Sequence, residues 1–231
     1  MTALILIPGL GSDAAVWQPT MDELGDEVDC QVGDTLNDDT LEGMVRRILA
    51  DAPDRFALAG VSMGGMVALE IMRTAPERVT RLALVDTNAR PDTPEQTARR
   101  RATNAAMLAA DDLAALAGPG IAYMLHPATG ADARAALMAM TLRVGASAYV
   151  RQNEAVIARA DLRPVLGTIA IPTIIVVGRE DLMTPLACSQ EISDAIPNAR
   201  LRIIPDCGHL PPIEQPQALA ALLRDWLYDP S

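Results

Sequence analysis

The sequence contains no lysine: its 19 basic side chains are all arginine, set against 30 acidic ones, for a formal net charge of −11. A chain this acidic excludes nucleic acid and anionic membranes as expected partners. Histidine is scarce, with only His126 and His209, so chemistry that needs an imidazole base has a short search. The cysteines, Cys30, Cys188 and Cys207, are odd in number and lack metal-ligand spacing. They read as reduced thiols of a cytoplasmic protein, with Cys207 a candidate redox-sensitive neighbour of His209. No apolar run reaches the length of a membrane span, and Met1–Pro8 lacks the positive n-region of a secretory leader. The run Pro8-Gly9-Leu10-Gly11-Ser12 has no lysine and fits neither a P-loop nor a dinucleotide fingerprint. At 231 residues the chain is long enough for one α/β domain with an insertion, without disulfides to supplement its core.

Strand-like apolar runs alternate with helical stretches. That pattern predicts an α/β fold: a mostly parallel, doubly wound sheet of about six strands with helices on both faces. Strands are expected at Ala3–Ile7, Cys30–Val32, Phe56–Ala59, Val79–Val85, Thr173–Val177 and Leu201–Ile204. Helices are expected at about Ala14–Leu24, Thr40–Ala50, Met66–Met72, Pro185–Ala195 and Pro216–Leu227. From about Arg90 to Gly167 there is no convincing strand. This stretch is rich in Ala, Met, Leu and Arg, and is punctuated by Gly118-Pro119-Gly120, His126-Pro127 and Gly145. It reads as several short helices forming a lid over the carboxyl ends of the strands. The expected division is a core of residues 1–89 and 168–231 with a helical cap of residues 90–167. Met107, Met124, Met138 and Met140 could line an adaptable acyl pocket or form ordinary lid core. Arg99-Arg100-Arg101 reads as a solvated helix face, although a lid arginine could hold a substrate carboxylate.

The most informative motif is Gly60-Val61-Ser62-Met63-Gly64-Gly65, between the apolar run Phe56–Ala59 and a helix. A strand-to-helix turn this sharp strains its central residue and leaves no room for side chains two positions to either side. It would hold the Ser62 hydroxyl exposed at its tip. A serine hydroxyl needs a base. His209 sits in a Gly-His loop after an apolar strand and before a helix starting near Glu214; His126 sits in a helical segment and reads as a partly buried or surface residue. The base needs a carboxylate to hold its tautomer. Asp181, in the turn Gly178-Arg179-Glu180-Asp181 at a strand end, is the favoured acid. Glu180 should point the other way, and Asp86, closing the strand Leu82–Val85, is the competing acid. The oxyanion donors would be the backbone N–H groups of Met63 and Leu10.

Taken together, Pro8-Gly9-Leu10-Gly11 with Trp17, Gly60–Gly65, Leu84-Val85-Asp86, Ile171–Asp181 and Gly208-His209 resemble the α/β-hydrolase superfamily, over all but the middle of the chain. Two departures stand out: Pro8-Gly9 replaces a usual His-Gly, and the hairpin that often precedes the first parallel strand is missing. The resemblance implies small bacterial carboxylesterases acting on a small-molecule acyl substrate, with Ser62, His209 and Asp181 as nucleophile, base and acid. It implies no metal and no organic cofactor. The same triad would also serve a lactonase, thioesterase, carbon–carbon hydrolase or cofactor-free haloperoxidase, and the fold also hosts non-catalytic ligand receptors. A serine at the elbow argues against dehalogenase and epoxide hydrolase chemistry.

Overall fold

A computed structural model describes residues 3–229. In chain order the elements are β1 (Ala3–Ile7), α1 (Gln18–Leu24), β2 (Asp29–Val32), α2 (Leu41–Asp51), β3 (Phe56–Val61), α3 (Met63–Thr74), β4 (Val79–Val85), α4 (Pro94–Ala109), α5 (Leu113–Met124), α6 (Ala131–Ala158), α7 (Arg163–Leu166), β5 (Thr173–Gly178), α8 (Leu186–Ala195), β6 (Arg200–Ile204), α9 (Pro211–Glu214) and α10 (Pro216–Tyr228). The six strands form one sheet in the order β2-β1-β3-β4-β5-β6, and every neighbouring pair runs parallel. The doubly wound architecture expected from the apolar pattern is therefore the one observed.

The period of two along each strand divides the core into two layers. Ile5, Ile7, Phe56, Leu58, Leu82 and Leu84 face the layer holding α2, α3 and α8. Leu4, Leu6, Ala57, Ala59, Ala83 and Val85 face the layer holding α1 and α10, with Trp17 and Trp226. β1, β3, β4 and β5 are central strands covered on both faces, which is why they read as continuous apolar runs. In α2, Leu41, Met44, Val45 and Ile48 recur at helical spacing and are all buried, while Thr40 caps the helix by accepting the Gly43 N–H at 3.1 Å. Removing any one of these large core side chains would cost about 2–5 kcal/mol.

Between β4 and β5 the chain is helical, in several pieces. α4 opens on a capping box of Thr93 and Gln96. α5 runs through Pro119, so Gly118-Pro119-Gly120 does not break it as its composition suggested. α6 is two helical pieces joined across a kink at Gly145, whose φ of 72° and ψ of 168° are non-helical and are open to glycine. α4 and α5 both pack on α6. The expected first helix is divided: a single 3-10 turn, Ala14–Val16, precedes α1, with Trp17 between them. No helix among the described residues is long and apolar enough to cross a membrane.

Candidate active site

Ser62 joins β3 to α3 with φ 55° and ψ −117°, a conformation that costs a non-glycine residue of the order of 1–3 kcal/mol. Its surroundings hold it there. The Ser62 N–H donates to the Val85 carbonyl at 2.9 Å, and Thr87 Oγ1 donates to the Ser62 carbonyl at 2.7 Å. The flanking glycines are required by close approach: a Cβ on Gly60 would strike the Gly64 carbonyl, and one on Gly64 would strike the Ile7 carbonyl.

Across the carboxyl ends of the strands, Ser62 Oγ lies 2.8 Å from His209 Nε2, and His209 Nδ1 lies 2.9 Å from Asp181 Oδ2. With Asp181 ionised, Nδ1 carries the proton and Nε2 is free to accept from the serine hydroxyl. Asp181 Oδ1 also accepts the N–H groups of Met183 at 2.7 Å and Thr184 at 3.1 Å, and Oδ2 accepts Thr184 Oγ1–H at 2.6 Å. Burial would raise this carboxyl, but the His209 bond and charge, with the hydroxyl of Thr184, outweigh it and hold Asp181 well below the usual carboxylate range.

Asp86 ends the neighbouring strand and is also fully buried. Its Oδ1 accepts one N–H, from Gly178 at 2.9 Å, and its Oδ2 has no hydrogen-bond partner. Burial, then the charge of Asp181, push its pKa well above the ordinary value. Asp86, Asp181 and His209 offer ligand atoms within 4.8 Å of one another. Within this group Asp181 and His209 Nδ1 are already bonded to each other. Glu180 points away from His209: its carboxylate accepts the Cys207 N–H at 3.0 Å. His126 Nδ1 accepts the N–H of Ala128 and makes no bond to the serine or the acids. Cys207 is fully buried, and burial and the surrounding acids raise its thiol far above the ordinary value, which leaves it unreactive rather than redox-sensitive.

Three residues that the sequence does not announce hold this arrangement. Glu214 Oε2 accepts the N–H of Gly208 at 3.2 Å, the N–H of His126 at 2.7 Å and the hydroxyl of Thr129 at 2.7 Å. Its Oε1 accepts the Leu210 N–H at 2.9 Å. It therefore clamps the residues on either side of His209 and ties them to the turn after α5. His209 itself donates its backbone N–H to the Met124 carbonyl at 2.9 Å. Gln152, fully buried on α6, accepts the Gly11 N–H at 2.8 Å and donates to the Ser12 carbonyl and Thr35 Oγ1. It fixes the loop after β1. Thr184 sits between acid and imidazole. Their partners lie far away in sequence or in an unremarkable turn, so no motif marks them.

A cavity of about 540 Å³ opens onto Ser62 and His209, with Leu10, Met63, Met66, Met124, Tyr149 and Val156 among its walls. That is the size of a small-molecule site. The backbone N–H groups of Leu10 and Met63 have no hydrogen-bond partner among the described residues; Met63 opens α3, where no helical carbonyl is available to it. Of the methionines expected to line a pocket, Met124 does so. Met107 and Met138 do not: Met107 is buried near the end of α4, and Met138 packs beside Gly118 against the core layer of Trp17 and Trp226. Met140 is buried in the same layer. The helical period says which residues share a face but not which face meets the cavity. Arg99 and Arg101 are exposed, as a solvated face requires, whereas Arg100 turns inward and lines the cavity.

Comparison with known proteins agrees with this geometry. The chain is 30% identical to a pimeloyl-[acyl-carrier protein] methyl ester esterase of Aromatoleum aromaticum, over 80% of this chain and 79% of that protein. A solved esterase from Thermogutta terrifontis, with malate bound, superposes with a TM-score of 0.89 at 27% identity, over 98% of this chain and 89% of that one. An enol-lactonase from Burkholderia xenovorans superposes with a TM-score of 0.84 at 25% identity, over 99% and 92%. A family model described as "Alpha/beta hydrolase family" matches residues 4–222, and the chain belongs to that family.

Proposed function

We propose that this hydrolase cleaves a small-molecule carboxylic ester through an acyl-enzyme, with Ser62, His209 and Asp181 as nucleophile, base and acid. The observation that carries this reading is the unbroken line of hydrogen bonds from Ser62 Oγ through His209 to Asp181, at 2.8 and 2.9 Å, at the wall of a ligand-sized cavity. As Ser62 Oγ attacks the ester carbonyl, its proton passes to His209 Nε2 and the imidazolium is stabilised by Asp181. The carbonyl oxygen takes up negative charge and accepts the free N–H groups of Leu10 and Met63. Collapse expels the alcohol, which takes its proton from His209. Water then repeats the sequence on the acyl-enzyme, giving the carboxylic acid and restoring Ser62.

Residues 90–167 act in this scheme as a cap over the core of residues 1–89 and 168–231, of which Met1, Thr2, Pro230 and Ser231 lie outside the described residues. α4, α5 and α6 supply Arg100, Met124, Tyr149 and Val156 to the cavity wall, so substrate choice resides largely there. Three free thiols, all with pKa raised by burial, suit a reducing cytoplasm.

A fluorophosphonate probe should form an adduct on Ser62, and Ser62→Ala should abolish both the adduct and about 10⁵-fold or more of the turnover with an unchanged circular dichroism spectrum. Full turnover by the pure variant would sink the proposal. A panel of p-nitrophenyl esters, lactones and diketones would separate ester cleavage from the other reactions of this triad.

A further inference from the structure

Apart from His209, the charged side chains lining the cavity are Asp92 and Arg100. They belong to a trio. Asp92 Oδ2 accepts Arg100 Nε–H at 2.6 Å, and Asp92 Oδ1 accepts Arg159 Nη2–H at 2.8 Å. Both oxygens of one carboxylate are thus engaged by two guanidiniums. The Asp92 and Arg159 side chains are 3% and 2% exposed, whereas that of Arg100 is 28% exposed. The open face of the trio is Arg100.

The hydrogen bonds of Arg100 show where its charge is available. Its Nε serves Asp92 and its Nη1 donates to Asn153 Oδ1 at 2.8 Å. Its Nη2 has no partner among the described residues. Gln96, one helical turn earlier on α4, uses its Oε1 to accept the Thr93 N–H, which leaves its NH₂ group unpaired beside the cavity. The Asn88 amide also lines the cavity and has no side-chain bond among the described residues. The nearest further acid of this network, Glu154, accepts from Asn104 Nδ2 at 2.6 Å and is not part of the wall. This side of the cavity therefore has donors to spare and no unengaged acid. Much of the remaining wall is apolar: Leu10, Met66, Met124 and Val156.

We infer that the cavity selects substrates carrying a carboxylate remote from the scissile ester, bound by Arg100 Nη2 with the amides of Gln96 and Asn88. This rests on the hydrolase reading of Ser62 and names the substrate class of that same site. The free edge of the planar guanidinium and two amide donors match the two oxygens of a carboxylate. The Asp92 and Asn153 bonds hold the guanidinium in place before substrate arrives, so little side-chain freedom is lost on binding.

The test compares monomethyl succinate through monomethyl suberate with the corresponding dimethyl esters, using the full chain and following methanol release. For at least one chain length the half-ester should show a kcat/KM about 10- to 100-fold higher than its dimethyl ester, the scale of a hydrogen bond to a charged group. In Arg100→Gln that ratio should fall to near one, and Arg100→Lys should retain part of it. Equal or better use of the dimethyl ester at every length overturns the inference while leaving ester hydrolysis standing, and this result needs no variant to fold. A half-ester preference that survives intact in folded Arg100→Gln overturns the assignment to Arg100. No turnover of any ester, together with no fluorophosphonate adduct on Ser62, removes the hydrolase reading and the inference with it.

Discussion

β4 and β5 lie side by side and each ends in a buried aspartate, yet the two strand ends differ in chemistry. Asp86 and Asp181 are 0% and 3% exposed, so burial does not distinguish them. Their donors do. Asp181 accepts from two backbone N–H groups, a threonine hydroxyl and an imidazole; Asp86 accepts from one N–H and leaves an oxygen without a partner. The outcome is a carboxyl held well below the usual range in one case and pushed well above its ordinary value in the other. Two like charges this close would not both persist, and the better-solvated site keeps the charge. The turn after β5 creates the difference, because it aims the N–H groups of Met183 and Thr184 back at Asp181.

The sharpest test of this contrast exchanges each acid for its amide. Asp181→Asn should lower kcat by about 10⁴-fold, since an amide oriented by the same N–H donors no longer favours the Nδ1–H tautomer of His209. If Asp181→Asn and Asp86→Asn were equally damaging, the assignment of roles to the two strand ends would be wrong.

A third acid sharpens the comparison, because Glu214 serves the same histidine without touching its ring. Glu214→Ala leaves the Gly208, Leu210 and His126 N–H groups without their acceptor, and should lower stability by about 3 kcal/mol. Turnover should fall as the His209 loop loosens, with the pH profile of activity keeping its shape. A shifted profile would show that Glu214 acts on the imidazole directly.

Asp86→Asn should be mild: about 1 kcal/mol or less on the barrier, within about fivefold in kcat, because the amide preserves the Gly178 bond and burial already disfavours the charged form of the native acid. Its stability effect has a defined sign. Folded Asp86 keeps its proton above pH ~4, where the unfolded side chain has released one, so wild-type stability falls as pH rises from there towards the raised folded pKa. The amide does not titrate. Thermal unfolding should thus show the Tm of Asp86→Asn gaining on wild type as pH rises above ~4. Asp181 has the opposite sign: its contribution is present above pH ~4 and is lost as pH falls towards its depressed folded pKa.

The smallest effect concerns the thiols. Burial raises Cys30 to about 11 and lifts Cys188 and Cys207 as well. A thiol reagent at pH 8 should therefore react slowly with the folded protein, and most slowly at the fully buried Cys207. Rapid labelling of Cys207 without loss of structure would mean that the rim beneath His209 opens more readily than its packing implies.

Much of this protein is legible in its residues alone. The glycines around Ser62 are readable as a motif, although only Gly60 is demanded by the turn's own backbone at Gly64, whereas Gly64 is demanded by the end of the neighbouring strand β1 at Ile7. Strand positions follow from apolar runs, and strand faces from a period of two. The order Ser62, Asp181, His209 is readable because each ends or follows a strand, and parallel strands deliver their carboxyl ends to one edge of the sheet. Other features have no such local signature. Asp86 and Asp181 both close apolar strands, and only the turn of Met183 and Thr184 separates them. Gly118-Pro119-Gly120 has the composition of a break, but packing on α6 keeps α5 helical through it.

What the sequence determined alone was the sheet, the bend that presents Ser62 and the presence of a helical segment between β4 and β5, because those rest on short-range sterics and on apolar periodicity. The tertiary structure decided which acid is furnished with donors, which of the cap methionines singled out meets the cavity and which arginine of three turns inward. It also joined Glu214 to the His209 loop, Gln152 to Gly11, and Asp92 to Arg100 and Arg159. Hydrogen bonds and ion pairs between distant segments depend on where whole elements are placed, and that placement is set by the packing of the entire core rather than by any local run of residues.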